Sequence, residues 1–287
     1  MKSFTRWLFA PLIAFGLVSA HAAGPAAQTP DILTGMWWNP SESGWGIHFT
    51  QRADVVFASW YTYDGVGAPR WLVASDCRMA IRPPCPTCVA GSSCSGTLYE
   101  VNGPRFFNQV FDPATVNTTP VGSLSLTFSD ASNATMSYNI GTVSRTLPVS
   151  RNLFRGGTTA PAVNYTDLWW NAAESGWGLA VTQQFDVMFL AWFVYEHTGR
   201  PVWYVASNCV VNAAGDGCSG ALYITDGPPG PSVSTSFDST RVNVTQIGTV
   251  SLLFSDANTG ILRYHVEGNS GDAQPADGAK NITRKLF

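Results

Sequence analysis

Charge is what this chain has least of. Asp, Glu, Lys and Arg make up 12% of its 287 residues, and the formal net charge is -3. No Lys/Arg stripe or basic patch stands out, so the clustered cations that phosphate binding needs are missing. That argues against nucleic acid as a partner. Long apolar runs are scarce too. Beyond the N-terminus, no stretch approaches the ~18 residues of a membrane-spanning helix. No segment keeps a convincing 3.6-residue apolar period, which argues against helices. A Gly-x-Ser-x-Gly elbow, a His-Glu-x-x-His pair and a phosphate loop are all lacking. No cofactor and no metal is therefore expected.

Aromatics and turn residues are abundant: 11 Trp, 9 Tyr and 16 Phe stand beside 27 Gly and 18 Pro. This is the composition of a β-rich, turn-rich globular protein. The first 22 residues read as a signal peptide. Lys2 and Arg6 open it, Trp7 to Val18 is apolar, and Ala20-His21-Ala22 is a small-x-small cleavage site. No Cys follows that could carry a lipid anchor. Export to the periplasm or the medium is the expectation, with no membrane span after cleavage. Residues 23–31 read as a flexible Ala/Pro lead-in.

The rest of the chain repeats itself. Trp37-Trp38-Asn39-Pro40-Ser41-Glu42-Ser43-Gly44-Trp45-Gly46 returns as Trp169-Trp170-Asn171-Ala172-Ala173-Glu174-Ser175-Gly176-Trp177-Gly178. The register runs on without a gap to Cys77 and Cys209. One module was duplicated, giving module 1 at 32–154, a Gly/Pro linker at 155–164 and module 2 at 165–287. Both end alike, in Arg151-Asn152-Leu153-Phe154 and Arg284-Lys285-Leu286-Phe287, as though the last strand closes each module. Roughly 120 residues are enough for one core.

Each module carries about eight strand-like runs. In module 1 they fall near 35–39, 45–52, 55–63, 69–76, 96–102, 121–129, 133–141 and 145–152. Leu124, Leu126 and Phe128 alternate with Ser123, Ser125 and Thr127, the pattern of a half-buried strand. Turn signals such as Asp64-Gly65-Val66-Gly67 and Ser129-Asp130-Ala131-Ser132-Asn133 separate the runs, which predicts consecutive antiparallel hairpins. The fold class is all-β, with an up-and-down barrel favoured over a sandwich because closure removes exposed edges.

Two resemblances accompany this reading. Gly35-Met36-Trp37 looks like the Gly-x-Trp opening of calycin barrels (lipocalins and avidins). Those barrels set an Arg against that Trp, a role Arg151 or Arg284 would take; Asp167 departs from the pattern where Gly is expected. The doubled Trp-Trp-Asn-x-x-Glu-Ser-Gly-Trp-Gly resembles tandem repeats in uncharacterised secreted bacterial proteins. That likeness implies export and duplication and brings no activity with it.

The six cysteines fit an oxidising compartment. Cys77 and Cys209 align, as do Cys94 and Cys218, so the expected disulfides are Cys77–Cys94 and Cys209–Cys218. Cys85 and Cys88, in Cys-Pro-Thr-Cys, occur only in module 1. A local disulfide is the expected state; a four-cysteine zinc site is the alternative.

Duplicated aromatics and carboxylates are the candidate functional residues. Trp37 and Trp38 are strand neighbours and must face opposite ways. Trp38, Trp45, Trp60 and Trp71 repeat as Trp170, Trp177, Trp192 and Trp203. They either pack the core and the module faces or stack on a ligand at a barrel mouth. Glu42 and Glu174 sit in the turn before the second strand, as turn acceptors or as ligand-binding or general-acid groups. Asn39, Asn171, Gln51 and Gln183 would orient a ligand or merely face solvent. The histidines His48, His197 and His265 have no counterpart in the other module. The leading reading is a non-catalytic binding protein for a carbohydrate or another small, partly apolar ligand. The rivals are a protein-interaction or inhibitor module and a hydrolase using carboxylates near Glu42 and Glu174.

Overall fold

The computed structural model describes residues 32–79, 90–268 and 275–287. The expected signal peptide, the lead-in and the Cys85/Cys88 pair lie outside these residues. Barrel 1 is built from β1 (Gly35–Trp38), β2 (Gly46–Arg52), β3 (Val55–Tyr63), β4 (Pro69–Met79), β5 (Ser93–Asn102), β6 (Asn117–Phe128), β7 (Asn133–Ile140) and β8 (Val143–Arg151). Barrel 2 repeats it with β9 (Asp167–Trp170), β10 (Gly178–Gln184), β11 (Val187–Tyr195), β12 (Pro201–Val211), β13 (Gly217–Asp226), β14 (Asn243–Phe254), β15 (Thr259–Val266) and β16 (Ala276–Arg284). Every neighbouring pair is antiparallel, and the first strand of each barrel closes on its last. Two eight-stranded up-and-down barrels are thus confirmed. The helical content of the described residues is limited to three short 3-10 turns.

Alternation decides what lies inside. Trp45, Ile47, Phe49, Val56, Ala58 and Trp60 are buried in barrel 1, as are Leu124, Leu126 and Phe128. Trp37 is fully buried while its neighbour Trp38 is half-buried, and Trp169 and Trp170 divide in the same way. β6 begins four residues earlier than the pattern predicts. Pro120 reads as a strand breaker, but it pairs with Tyr99 beside a register shift that sets Gly122 against Leu98. A bulge is where a strand tolerates proline.

Each barrel is locked at its closing corner. Trp37 Nε1 donates to Leu33 O at 3.0 Å, and the Arg151 guanidinium lies 5.1 Å from that indole's centroid. Trp169 Nε1 donates to Tyr165 O at 3.0 Å, with Arg284 at 4.9 Å. Disulfides Cys77–Cys94 and Cys209–Cys218 are present as expected.

The barrels dock through reciprocal contacts, as in an isologous dimer. Trp71 Nε1 donates to Val194 O at 3.1 Å, and its equivalent Trp203 Nε1 donates to Thr62 O at 2.8 Å. Gly103 N donates to Gly199 O and, equivalently, Gly227 N to Gly67 O. These glycine contacts anchor the β5–β6 and β13–β14 connections, and each connection stoppers the other barrel. Phe106 lies 5.1 Å from Trp177 and 5.2 Å from Trp192, and Phe107 lies 5.6 Å from Trp192 and 5.4 Å from Tyr264. In return, the Tyr138 hydroxyl of barrel 1 donates to Pro231 O, and Ser232 Oγ donates to Tyr63 O.

The Asp167 that breaks the Gly-x-Trp pattern is part of this interface. Its carboxylate, 1% exposed, accepts from Arg284 Nη1 at 2.7 Å and from barrel 1's Arg52 Nη2 at 2.5 Å. Beside it, His48 is buried with Nε2 3.3 Å from Val181 O and Nδ1 3.4 Å from Thr50 Oγ1. Burial holds the imidazole neutral and lowers its pKa to about 4, against smaller raising effects from Asp167 and Val181 O. A base suppressed in the fold binds its proton more readily when unfolded. Its stabilising effect is complete above about pH 6.5 and is lost as the pH falls towards 4. The loss amounts to roughly 3 kcal/mol. Urea unfolding of the wild type at pH 7.5 and pH 4.5 should show this slope, and His48→Gln should flatten it.

Candidate ligand groove

The duplicated turn after β1 is organised by Asn39 and Asn171. Asn39 Oδ1 accepts from Ser41 N, and Asn171 Oδ1 accepts from Ala173 N, each at 3.0 Å. The asparagines thus take the turn-capping role that was one option for the glutamates. Glu42 instead accepts from Trp45 Nε1 at 3.2 Å and from Arg145 Nη2 at 2.6 Å. Glu174 accepts from Trp177 Nε1 at 3.1 Å and from Lys280 Nζ at 2.8 Å. Both carboxylates tie an indole at the barrel end to a cation on a distant strand.

The other nominated polar groups are also engaged. Gln51 Oε1 accepts from Leu33 N and its amide donates to Ala53 O; Gln183 does the same with Tyr165 N and Phe185 O. Both glutamines brace the chain as it enters the first strand of a barrel. Trp45 and Trp60 lie inside barrel 1, and Trp177 and Trp192 inside barrel 2 beneath Phe106. Trp71 and Trp203 are buried in the barrel–barrel interface, where each reaches a carbonyl of the opposite barrel. Trp38 stays half-buried at the end of β1.

What the sequence does not bring together is a groove between the barrels. Its volume is about 370 Å³, within the range of small-molecule sites. Barrel 1 contributes the outward rows of β3 and β4, with Phe57, Ser59, Trp71 and Val73, and residues from Val101 to Thr118 around the β5–β6 connection. Barrel 2 contributes Leu168 and Trp170 from β9, the Ser175–Gly178 turn with Trp177, and Phe193. Lys285 completes it, its Nζ 3.3 Å from the centroid of the Trp170 ring.

Compared with known families, curated proteins and solved structures, the chain matches none. The geometry must therefore speak for itself. Of the nominated residues, Trp71, Trp170 and Trp177 line the groove, and the remainder do not. The residues that sequence reasoning missed are Phe57, Ser59, Phe193 and Lys285. Phe57 and Ser59 carried a signal, since they share the outward face of β3 with Tyr61. Lys285 carried one too, because it breaks an otherwise shared ending in which Asn152 is its equivalent.

The lining of the groove is not repeated across the pseudo-twofold. Phe193 has Tyr61 as its equivalent, and a Cβ placed on Gly46 would lie 2.3 Å from the Tyr61 hydroxyl. On that side the longer phenol packs against the glycine, and no cation replaces Lys285.

Proposed function

We propose that the protein is an exported, non-catalytic binding protein that holds a small, partly apolar ligand in the groove between its barrels. The observation that carries this reading is the groove's aromatic lining of Phe57, Trp71, Trp170 and Phe193, beside barrels whose inner ends are stoppered. Two disulfides and the N-terminal sequence support export. The ion pairs of Glu42 and Glu174 support binding without catalysis, since both carboxylates are committed to structural partners. Among the two ligand classes expected from the sequence, the partly apolar one fits better than a carbohydrate. Sugar stacking needs a bare ring face, whereas the Lys285 ammonium lies over Trp170.

The test is a titration of the full mature chain against a panel of hydrophobic small molecules and glycans, followed by calorimetry and the indole N–H signals. Ser59→Phe fills the floor of the groove and should lower affinity for any ligand found by at least about tenfold. Ser59 is itself buried, so some drop in the thermal midpoint is expected, and the affinity is compared at a temperature where both proteins are fully folded. Indole signals that stay put with every compound on the panel would sink the proposal.

A further inference from the structure

Lys285 gives the groove a sign. Its ammonium is half-buried at the edge of an apolar wall, and among the described residues it has no carboxylate partner. Of the other cations at the barrel ends, Arg145 is paired with Glu42, Lys280 with Glu174 and Arg284 with Asp167, while Arg151 donates its N–H groups to the backbone oxygens of Ile32, Thr34 and Ala131. Burial lowers the Lys285 pKa, as it does for an ammonium that has given up water without gaining an anion. Among the described residues the charge lies against the Trp170 ring, a weak substitute for a carboxylate.

The walls on either side are hydrocarbon and aromatic. Phe57, Val73, Val116 and Phe193 present no ionisable group, and the nearby polar atoms belong to Ser59, Thr118 and Ser175. A ligand matched to such a site carries one negative charge at one end of an apolar body. Resting on the reading of the groove as the ligand site, we infer that the protein binds an amphipathic anion, with an apolar tail along Phe57, Val73 and Phe193 and a carboxylate on Lys285 Nζ. The anion would take the ammonium's free hydrogen-bonding capacity while Trp170 packs against the ligand's first carbons. On the opposite side of the pseudo-twofold, Asn152 offers no such charge, so one anion binds per chain.

The full mature chain should be titrated at pH 7.5 with three probes sharing one tail: decanoate, decanol and decyltrimethylammonium. Calorimetry gives the affinities, and the Trp170 indole N–H signal reports the location. Decanoate should bind more tightly than decanol by roughly tenfold, the worth of a charge-assisted hydrogen bond in a partly dry site. The ammonium probe should bind most weakly. Lys285→Met and Lys285→Asn should bring the decanoate-to-decanol ratio to about one while leaving decanol affinity within about twofold. Both variants should keep the wild-type thermal midpoint, because Lys285 makes no ion pair. Equal binding of decanoate and decanol, with the Trp170 signal moving in both, overturns the anion and leaves the groove standing. Failure of all three probes to bind or to move the Trp170 signal overturns the anion together with the groove.

Discussion

Phe106→Ala combined with Phe107→Ala should be among the most damaging changes that leave the strands of both barrels untouched. Each ring is buried among Trp192, Tyr264 and their neighbours. Truncating one buried Phe costs about 3–5 kcal/mol. The two rings touch each other at 5.2 Å, so their losses need not add; the pair should still cost at least about 5 kcal/mol. The damage should appear first in barrel 2, whose lumen the two rings fill. The expected signature is a large drop in the urea midpoint together with new binding of a hydrophobic dye and altered near-ultraviolet circular dichroism. A variant with wild-type stability and no dye binding would show that barrel 2 closes without its neighbour.

Asp167→Ala should come second. The carboxylate is buried between Arg284, whose side chain is fully buried, and Arg52. Removing one partner of a buried pair strands the other charge, and the loss is about 3–5 kcal/mol. Asp167→Gly restores the residue that barrel 1 carries at Gly35, yet it should be no milder, because Arg284 would still lack an anion. Adding Arg284→Met to either variant should not restore the wild-type midpoint, because it also strips the donors from Ala257 O, Thr166 O and Asn164 O and the cation from the Trp169 ring. Equal urea midpoints for wild type and Asp167→Ala would count against any role for this clasp in holding the barrels together.

The barrels were legible because their evidence is local. Alternation along β2, β3 and β6 is a property of neighbouring residues, and duplication supplied it twice. The opposite environments of Trp37 and Trp38 follow from parity alone, and module alignment paired Cys77 with Cys94. The same parity set Trp60 opposite the Phe57 row but could not tell which row faced the lumen. Gln51 and Gln183 looked available because their partners, Leu33 and Tyr165, lie in the irregular lead-in to each barrel. The groove itself was not legible. Its walls come from two barrels, and nothing local in Ser59 or Lys285 says that another surface will stand opposite. The stopper was hidden for a similar reason. Phe106 and Phe107 sit between strands, and the equivalent stretch around Pro228-Pro229-Gly230-Pro231 has no aromatic pair to flag them.

The mutual stoppers bear on why the module exists in tandem. A solitary barrel of this design would leave its lumen open and its Trp71 indole without a carbonyl, so it would need a twin. Joining twins through the 155–164 connection makes that encounter intramolecular, and closure no longer depends on how dilute the protein is. Once joined, the two halves were released from identity. The plugs now differ, a double phenyl one in barrel 2 and a proline-rich one in barrel 1, and Lys285 stands where the other half has Asn152.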